Sequence, residues 1–188
     1  MIATPHFTYL TPDQYLELER ASPIKHEYCN GKAYAMAGTT DSHNLIVGNL
    51  YTLIRTHIRG SDYRVYFSDV KARLEECNCF YYPDLMVTCD PQDAETTTYK
   101  SYPKLVVEVL SDSTEAFDRG DKFIDYQTLP TLEEYILVST KQQRVECYRR
   151  TEQQLWIFQF YTPNQNTFHF ASINFQATFA ALYEDASV

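Results

Sequence analysis

Hydrophobic positions change period several times along the chain, and each change predicts an element. Thr11-Pro12-Asp13-Gln14 supplies a helix cap, a proline at the first helical position and a glutamine at the third, so a short helix is expected to run to about Arg20. His26–Cys29 and Lys32–Met36 read as strands on either side of Asn30-Gly31, a dipeptide that tolerates positive φ and so predicts a hairpin. Asp41 is expected to cap a longer helix. There Ile46, Leu50, Leu53, Ile54 and Ile58 recur at helical spacing and form one apolar face. Three strand candidates follow, Arg64–Leu74, Phe80–Thr88 and Lys104–Leu110, with a polar, threonine-rich loop over Asp90–Pro103. A second long helix is predicted from a cap at Asp112, with Glu115 three residues on, to about Leu129-Pro130. Glu134–Ser139 is a compact apolar strand, and Arg144–Arg149, Leu155–Tyr161 and Thr167–Ile173 alternate as a strand meander.

This order is an α/β layout: helix, three strands, helix, strand, with a hairpin added before and a meander after. At 188 residues, 44% of them hydrophobic, the chain fits a single domain over residues 1–188 with a real core. The first ten residues lack a basic segment followed by an apolar one, and no apolar run approaches the roughly 20 residues that span a bilayer. A soluble, cytoplasmic protein with no membrane partner is expected. A formal net charge of −9 argues against a general nucleic-acid coat protein, because phosphate affinity needs clustered lysine and arginine. It leaves room for a local basic surface beside a metal site, which concentrates acids in any case. The five cysteines are scattered, and Cys77-x-Cys79 lacks zinc-knuckle spacing, so they read as reduced structural thiols.

One pattern carries chemistry. Glu108 interrupts the apolar run Leu105–Leu110, and Asp84 opens the strand Leu85-Met86-Val87 after Tyr82-Pro83. A carboxylate inside such a run is costly to bury unless it is paired, protonated or bound to a cation. Two of them on neighbouring strands supply the oxygen ligands of a hard divalent ion such as Mg²⁺, with Mn²⁺ able to replace it. Asp118, Lys122 and Tyr126 are spaced i, i+4, i+8 and share one helix face, which brings an ammonium within reach. The bland readings are a turn for Asp84, a structural salt bridge for Glu108, and an exposed ion pair with Asp118 for Lys122, worth about 0.3–0.5 kcal/mol.

The fragments His26-Glu27-Tyr28 with Asn30-Gly31, Ser42-His43-Asn44, Tyr82-Pro83-Asp84, Val107–Ser111, Asp118-x-x-x-Lys122-x-x-x-Tyr126 and Glu133-Glu134-Tyr135 together resemble the Uma2 family (DUF820), over about residues 8 to 184. The resemblance implies a restriction-endonuclease-like core of the PD-(D/E)xK nuclease superfamily and a metal-dependent endonuclease acting on DNA. It implies Asp84 and Glu108 as metal ligands, Lys122 as the catalytic cation and Glu27 as a further acidic site residue. Homodimerisation also follows from it, since two copies would cut both strands of a duplex. These nucleases place a lysine two residues after the second acid; here that position is Leu110, and Lys122 stands in for it. The rival reading is a catalytically degenerate nucleic-acid-binding or protein-interaction module on the same fold. Of the remaining polar residues, His43 at a helix start suits a site or a capping role equally. Asp69 and Lys71 suit a site border or a cross-strand pair, and Arg55, Arg59 and Arg64 a phosphate-contacting edge or plain surface. Phe158, Phe160, Phe168 and Phe170 read as core or dimer interface.

Overall fold

Local chemistry sets the first elements of the fold, a computed structural model that describes residues 9–36 and 38–188. Helix α1 (Pro12–Ala21) begins at Thr11, whose side chain accepts from Gln14 N while the Gln14 side chain accepts from Thr11 N. Strands β1 (His26–Cys29) and β2 (Lys32–Ala35) form the expected hairpin, with Asn30 and Gly31 at positive φ. Helix α2 (Asp41–His57) is capped by Thr40, not Asp41: the Thr40 hydroxyl accepts from His43 N, which makes Asp41 the first helical residue. Its face of Ile46, Leu50 and Ile54, continued by Ile58, is buried; Leu53 is only half-buried.

Two of the long strand candidates each divide in two. Arg64–Leu74 becomes β3 (Arg64–Phe67) and β4 (Lys71–Leu74), because Ser68 adopts a left-handed conformation (φ 54°) and turns the chain into a different sheet. Phe80–Thr88 becomes β5 (Cys79–Tyr81) and β6 (Leu85–Thr88), separated at Tyr82-Pro83-Asp84, where proline cannot donate to a ladder. The predicted loop Asp90–Pro103 contains a 3₁₀ turn (Pro91–Ala94) and a short strand β7 (Tyr99–Lys100). Strand β8 is Leu105–Val109.

The helix expected over Asp112–Leu129 is shorter and broken. It comprises α3 (Glu115–Arg119) and α4 (Asp121–Tyr126), with Thr114 rather than Asp112 preceding it. The break falls at Gly120, where a Cβ would lie 3.1 Å from the Ala116 carbonyl oxygen. Strands β9 (Glu134–Val138), β10 (Val145–Arg150) and β11 (Trp156–Tyr161) form the meander. The expected third meander strand instead leaves it: β12 (Thr167–Phe170) pairs with β13 (Phe175–Thr178), followed by a short helix α5 (Phe179–Leu182) that hydropathy alone did not reveal.

These strands build a five-stranded sheet in the order β2-β1-β5-β4-β7, a six-stranded sheet in the order β11-β10-β9-β8-β6-β3, and the β12–β13 pair. One face of the six-stranded sheet buries Leu85, Val107, Val109 and Ile136 against α2 and the β12–β13 aromatics Phe168 and Phe175. Its other face buries Met86, Val106, Leu110 and Leu137 against α4 and the five-stranded sheet. The outer face of that smaller sheet packs Tyr28 and Phe80 on Tyr15 of α1. Among the described residues, no helix is long and apolar enough to cross a membrane.

The α2 face gives a stability test. Leu50→Ala should cost about 2–5 kcal/mol in urea unfolding, since Leu50 is fully buried, while half-buried Leu53→Ala should cost about 1 kcal/mol. Equal losses would mean that the helix is rotated from the packing described.

Candidate active site

The antiparallel register that pairs Leu85 with Val107 and Met86 with Val106 carries Asp84 to the position opposite Glu108. Side chains directly opposite on neighbouring strands share a face. Glu108 shares its side of β8 with Val106 and Leu110, the side covered by α4. Strand β1 carries Glu27 to the same place from the other sheet, and α4 carries Lys122 between them. The two acids thus converge although 24 positions separate them in the chain.

Lys122 is the hub. Its Nζ lies 2.9 Å from Glu108 Oε1, 3.2 Å from Glu27 Oε1 and 3.5 Å from Asp118 Oδ1, and 5.5 Å from the centre of the Tyr81 ring. Lys122, Glu108 and Asp118 are all buried. Glu27 is held in turn by the backbone N–H of Tyr82, which donates to Oε1 at 3.1 Å. Asp84 receives two hydrogen bonds on one oxygen: Oδ2 is 2.7 Å from Val109 N and 3.2 Å from His43 Nε2. The hydroxyl of Tyr135, on β9, donates to the Asp118 carbonyl at 2.8 Å and fixes the end of α3.

Burial decides the electrostatics. It raises the Glu108 carboxyl well above its ordinary value, against the pull of Lys122 and with reinforcement from Asp118 and Asp84. Asp118 is raised for the same reason. Burial alone would lower Lys122, but Glu108, Glu27, Tyr126 and Asp118 together raise it well above the ordinary lysine value, so it stays an ammonium. For His43, burial is likewise outweighed, here by the hydrogen bond and charge of Asp84, and its pKa is raised. Tyr126 is pushed up by burial and by Glu108.

These groups open on a cleft of about 620 Å³ whose lining includes Glu27, His43, Asp84, Glu108, Asp118 and Lys122. Four carboxylates there face the ammonium groups of Lys122 and of Lys25, which is itself paired with Asp69. Among the described residues, three buried side-chain polar atoms lack an aligned hydrogen-bond partner: Glu108 Oε1, His43 Nδ1 and the Tyr126 hydroxyl. Glu108 Oε1 touches Lys122 Nζ without the alignment of a hydrogen bond. All three atoms belong to this cluster.

Every one of the four predicted site residues, Asp84, Glu108, Lys122 and Glu27, lies in the cluster. Asp118 enters it as well, foreshadowed only by its i, i+4 spacing from Lys122, and His43 comes to Asp84. Tyr81, beneath Lys122, had no sequence signal. The structure leaves other candidates outside: Arg55, Arg59 and Arg64 do not line the cleft. Lys71 is buried and donates to the Tyr82 hydroxyl at 3.1 Å, while Asp69 pairs with Lys25. Phe168 and Phe170 are core, whereas Phe158 and Phe160 on β11 are exposed. Leu110 is buried against Tyr126 and Leu137, so no cation stands at the position two residues after Glu108.

Comparison with known proteins agrees with this architecture. A putative nuclease of DUF820 from Anabaena variabilis, solved by crystallography, superposes with a TM-score of 0.74 over 93% of this chain and 97% of its own, at 15% identity. That likeness establishes a shared fold. Two uncharacterized Synechocystis proteins are closer in sequence: slr1290 is 41% identical over 80% of either chain, and sll1609 is 33% identical over 79% of this chain and 85% of its own. The profile of the Uma2 family, described as "Putative restriction endonuclease", matches residues 12–180. The chain therefore belongs to the Uma2 family.

Proposed function

We propose that this protein is a metal-dependent endonuclease that hydrolyses phosphodiester bonds in DNA, its whole length forming one nuclease domain that works in the cytoplasm. The observation that best supports this reading is a cleft lined by four carboxylates, Glu27, Asp84, Glu108 and Asp118, against the ammonium groups of Lys122 and Lys25. Buried carboxylates are costly unless they are paired, protonated or bound to a cation. A bound cation would answer the excess of carboxylates over ammonium groups there.

The donor set fits a hard divalent ion. Both hydrogen bonds of Asp84 fall on Oδ2, which leaves Oδ1 as a ligand, and Glu108 lies opposite. In this reading Asp84 and Glu108 hold Mg²⁺ or Mn²⁺, which takes oxygen ligands with water and substrate phosphate completing the shell. When bound, such an ion polarises a phosphoryl oxygen and lowers the pKa of water. Lys122 supplies a fixed ammonium to the charge that develops on the phosphorus oxygens. Glu27 and Asp118 hold that ammonium in place, and His43 orients Asp84. Leu110 is the observation that favours a degenerate module instead. The proximity of Lys122 to Glu108 answers it, because the same charge arrives from the helix.

Purified protein with plasmid or oligonucleotide DNA and millimolar Mg²⁺ or Mn²⁺ is expected to cleave. Asp84→Ala and Glu108→Ala should abolish cleavage, and Lys122→Met should slow it about 10²–10³-fold. Full activity in the acid variants would reject the assignment, and absence of both cleavage and divalent-ion binding in the wild type would favour the module.

The buried acids also predict a pH dependence. Because the folded pKa values of Glu108 and Asp118 lie above their ordinary 4.5 and 3.8, their contribution to stability is complete below those ordinary values and is lost as pH rises through the folded ones. In EDTA the melting temperature should therefore fall as pH rises above about 4.5, and Glu108→Gln should flatten that fall. Added Mg²⁺ or Mn²⁺ should restore the wild type most at the high end. A constant gap between wild type and variant across that range would refute the electrostatic assignment.

A homodimer completes the reading, and strand β11 offers the surface. It ends the six-stranded sheet, with Ile157, Phe158 and Phe160 exposed. Light scattering should give twice the chain mass, and Phe160→Lys should return it to one; a monomer at working concentration would remove the dimer from the proposal.

A further inference from the structure

Strand β1 presents Glu27 and Cys29 on one side, two residues apart, and β5 likewise presents Cys79 and Tyr81. The antiparallel register sets Cys29 directly opposite Cys79, and their Sγ atoms are 2.6 Å apart. Asp125, one turn beyond Lys122 on α4, closes the group: its Oδ2 accepts from the Tyr81 hydroxyl at 2.5 Å and lies 3.9 Å from Cys79 Sγ. Cys79 is buried and Cys29 half-buried, so one thiol is reachable from solvent and the other is shielded. The nuclease reading uses none of these thiols.

Two chemistries compete for such a cluster. Cys29, Cys79 and Asp125 each offer an atom within 4.8 Å of the others, which suits a soft metal ion. A tetrahedral zinc with Zn–S bonds of about 2.3 Å, however, holds its thiolates about 3.8 Å apart. The two sulfur atoms here are far closer than that. Directly opposed residues on antiparallel strands have Cα atoms about 4.5–5.5 Å apart, within the span that a disulfide bridges. We propose that Cys29 and Cys79 form a reversible redox pair, a modification site that closes into a cross-strand disulfide and ties the strand bearing Glu27 to the strand that leads into Asp84.

Hydrogen peroxide is an oxidant that can carry the pair to the disulfide. The Cys29 thiolate attacks the O–O bond; one oxygen stays on sulfur as a sulfenic acid, and the other leaves as hydroxide and takes up the proton lost by the thiol. The Cys79 sulfur then displaces the sulfenic hydroxyl, which departs as water with the Cys79 proton. Two thiols thus give up two electrons and two protons, and one peroxide becomes two water-level oxygens. The thiol contact of Cys77, with burial, raises the Cys79 pKa, and this leaves the more exposed Cys29 to make the first attack. A dithiol reverses the bond by exchange.

Peptide mapping of the whole protein tests this without reference to cleavage of DNA. After stoichiometric hydrogen peroxide and alkylation, trypsin should yield His26–Lys32 linked to Leu74–Lys100, and dithiothreitol should release it. Cys29→Ser and Cys79→Ser should each remove the linked species, while Cys89→Ser, at an exposed position, should keep it. The proposal fails if the linkage runs through Cys89 or Cys77, or if peroxide leaves the wild type unlinked. It fails equally if Co²⁺ binds stoichiometrically with a thiolate charge-transfer band that Cys29→Ser abolishes, since that outcome makes the cluster a metal site.

Discussion

An ammonium buried between carboxylates from three separate elements is the constraint on which this structure turns. Taking Lys122 out of water costs several kcal/mol unless it is paired, and the pairing must be near-complete to repay it. Glu108 comes from the six-stranded sheet, Glu27 from the hairpin of the smaller sheet and Asp118 from the preceding helix, so the pairing fixes both sheets and the helix against one another. Yet the arrangement is not balanced. One lysine cannot neutralise all the carboxylates around it once they are ionised, and burial raises the pKa of Glu108 and Asp118 against that excess. Stability alone would favour fewer acids, whereas the cation binding proposed above would favour the set that is present.

Most of the local elements were legible because their signals are local. The Thr11 capping box, the Asn30-Gly31 turn and the α2 apolar face are each decided within a few residues. The divisions of the two long strands were not. Periodicity continues through Ser68 and through Tyr82-Pro83-Asp84, but left-handed backbone at one and proline at the other pass the chain from sheet to sheet. Similarly, Thr167–Ile173 alternates as a strand should, and only its antiparallel register with Phe175–Thr178 reveals that it pairs locally instead of extending the meander. The helix cap moved by one residue at Thr40 because a hydroxyl and a carboxylate both suit that place, and chain geometry selected the former.

The site was legible to the extent that burial could be read from flanking residues. Glu108 announces itself as an acid in an apolar strand, and Asp84 follows from it by register. Lys122 was visible as a helix-face cation, but its burial was not, since the same Asp118–Lys122 spacing describes an ordinary exposed pair. Tyr81 and the Cys29–Cys79 contact could not be seen at all, because they depend on β1 pairing with β5 across fifty residues of chain. Hairpin and helix signals carry no information on which sheet a hairpin joins.

Leu110 shows what moving the cation to a helix entails. A lysine two residues after Glu108 would project from the same strand, its distance to the acid set by the pleat alone. With leucine there, the position joins the core under α4, and the charge arrives from α4 itself. Its reach then depends on how that helix is placed, just beyond the break at Gly120. Across that break Asp118 on α3 and Lys122 on α4 keep the i, i+4 proximity of a continuous helix. The hydrogen bond from Tyr135 to the Asp118 carbonyl holds that bend from the neighbouring strand. The cation is thereby positioned by packing between layers and not by a single strand, so residues remote from the acids, Tyr135 among them, govern the geometry at Glu108.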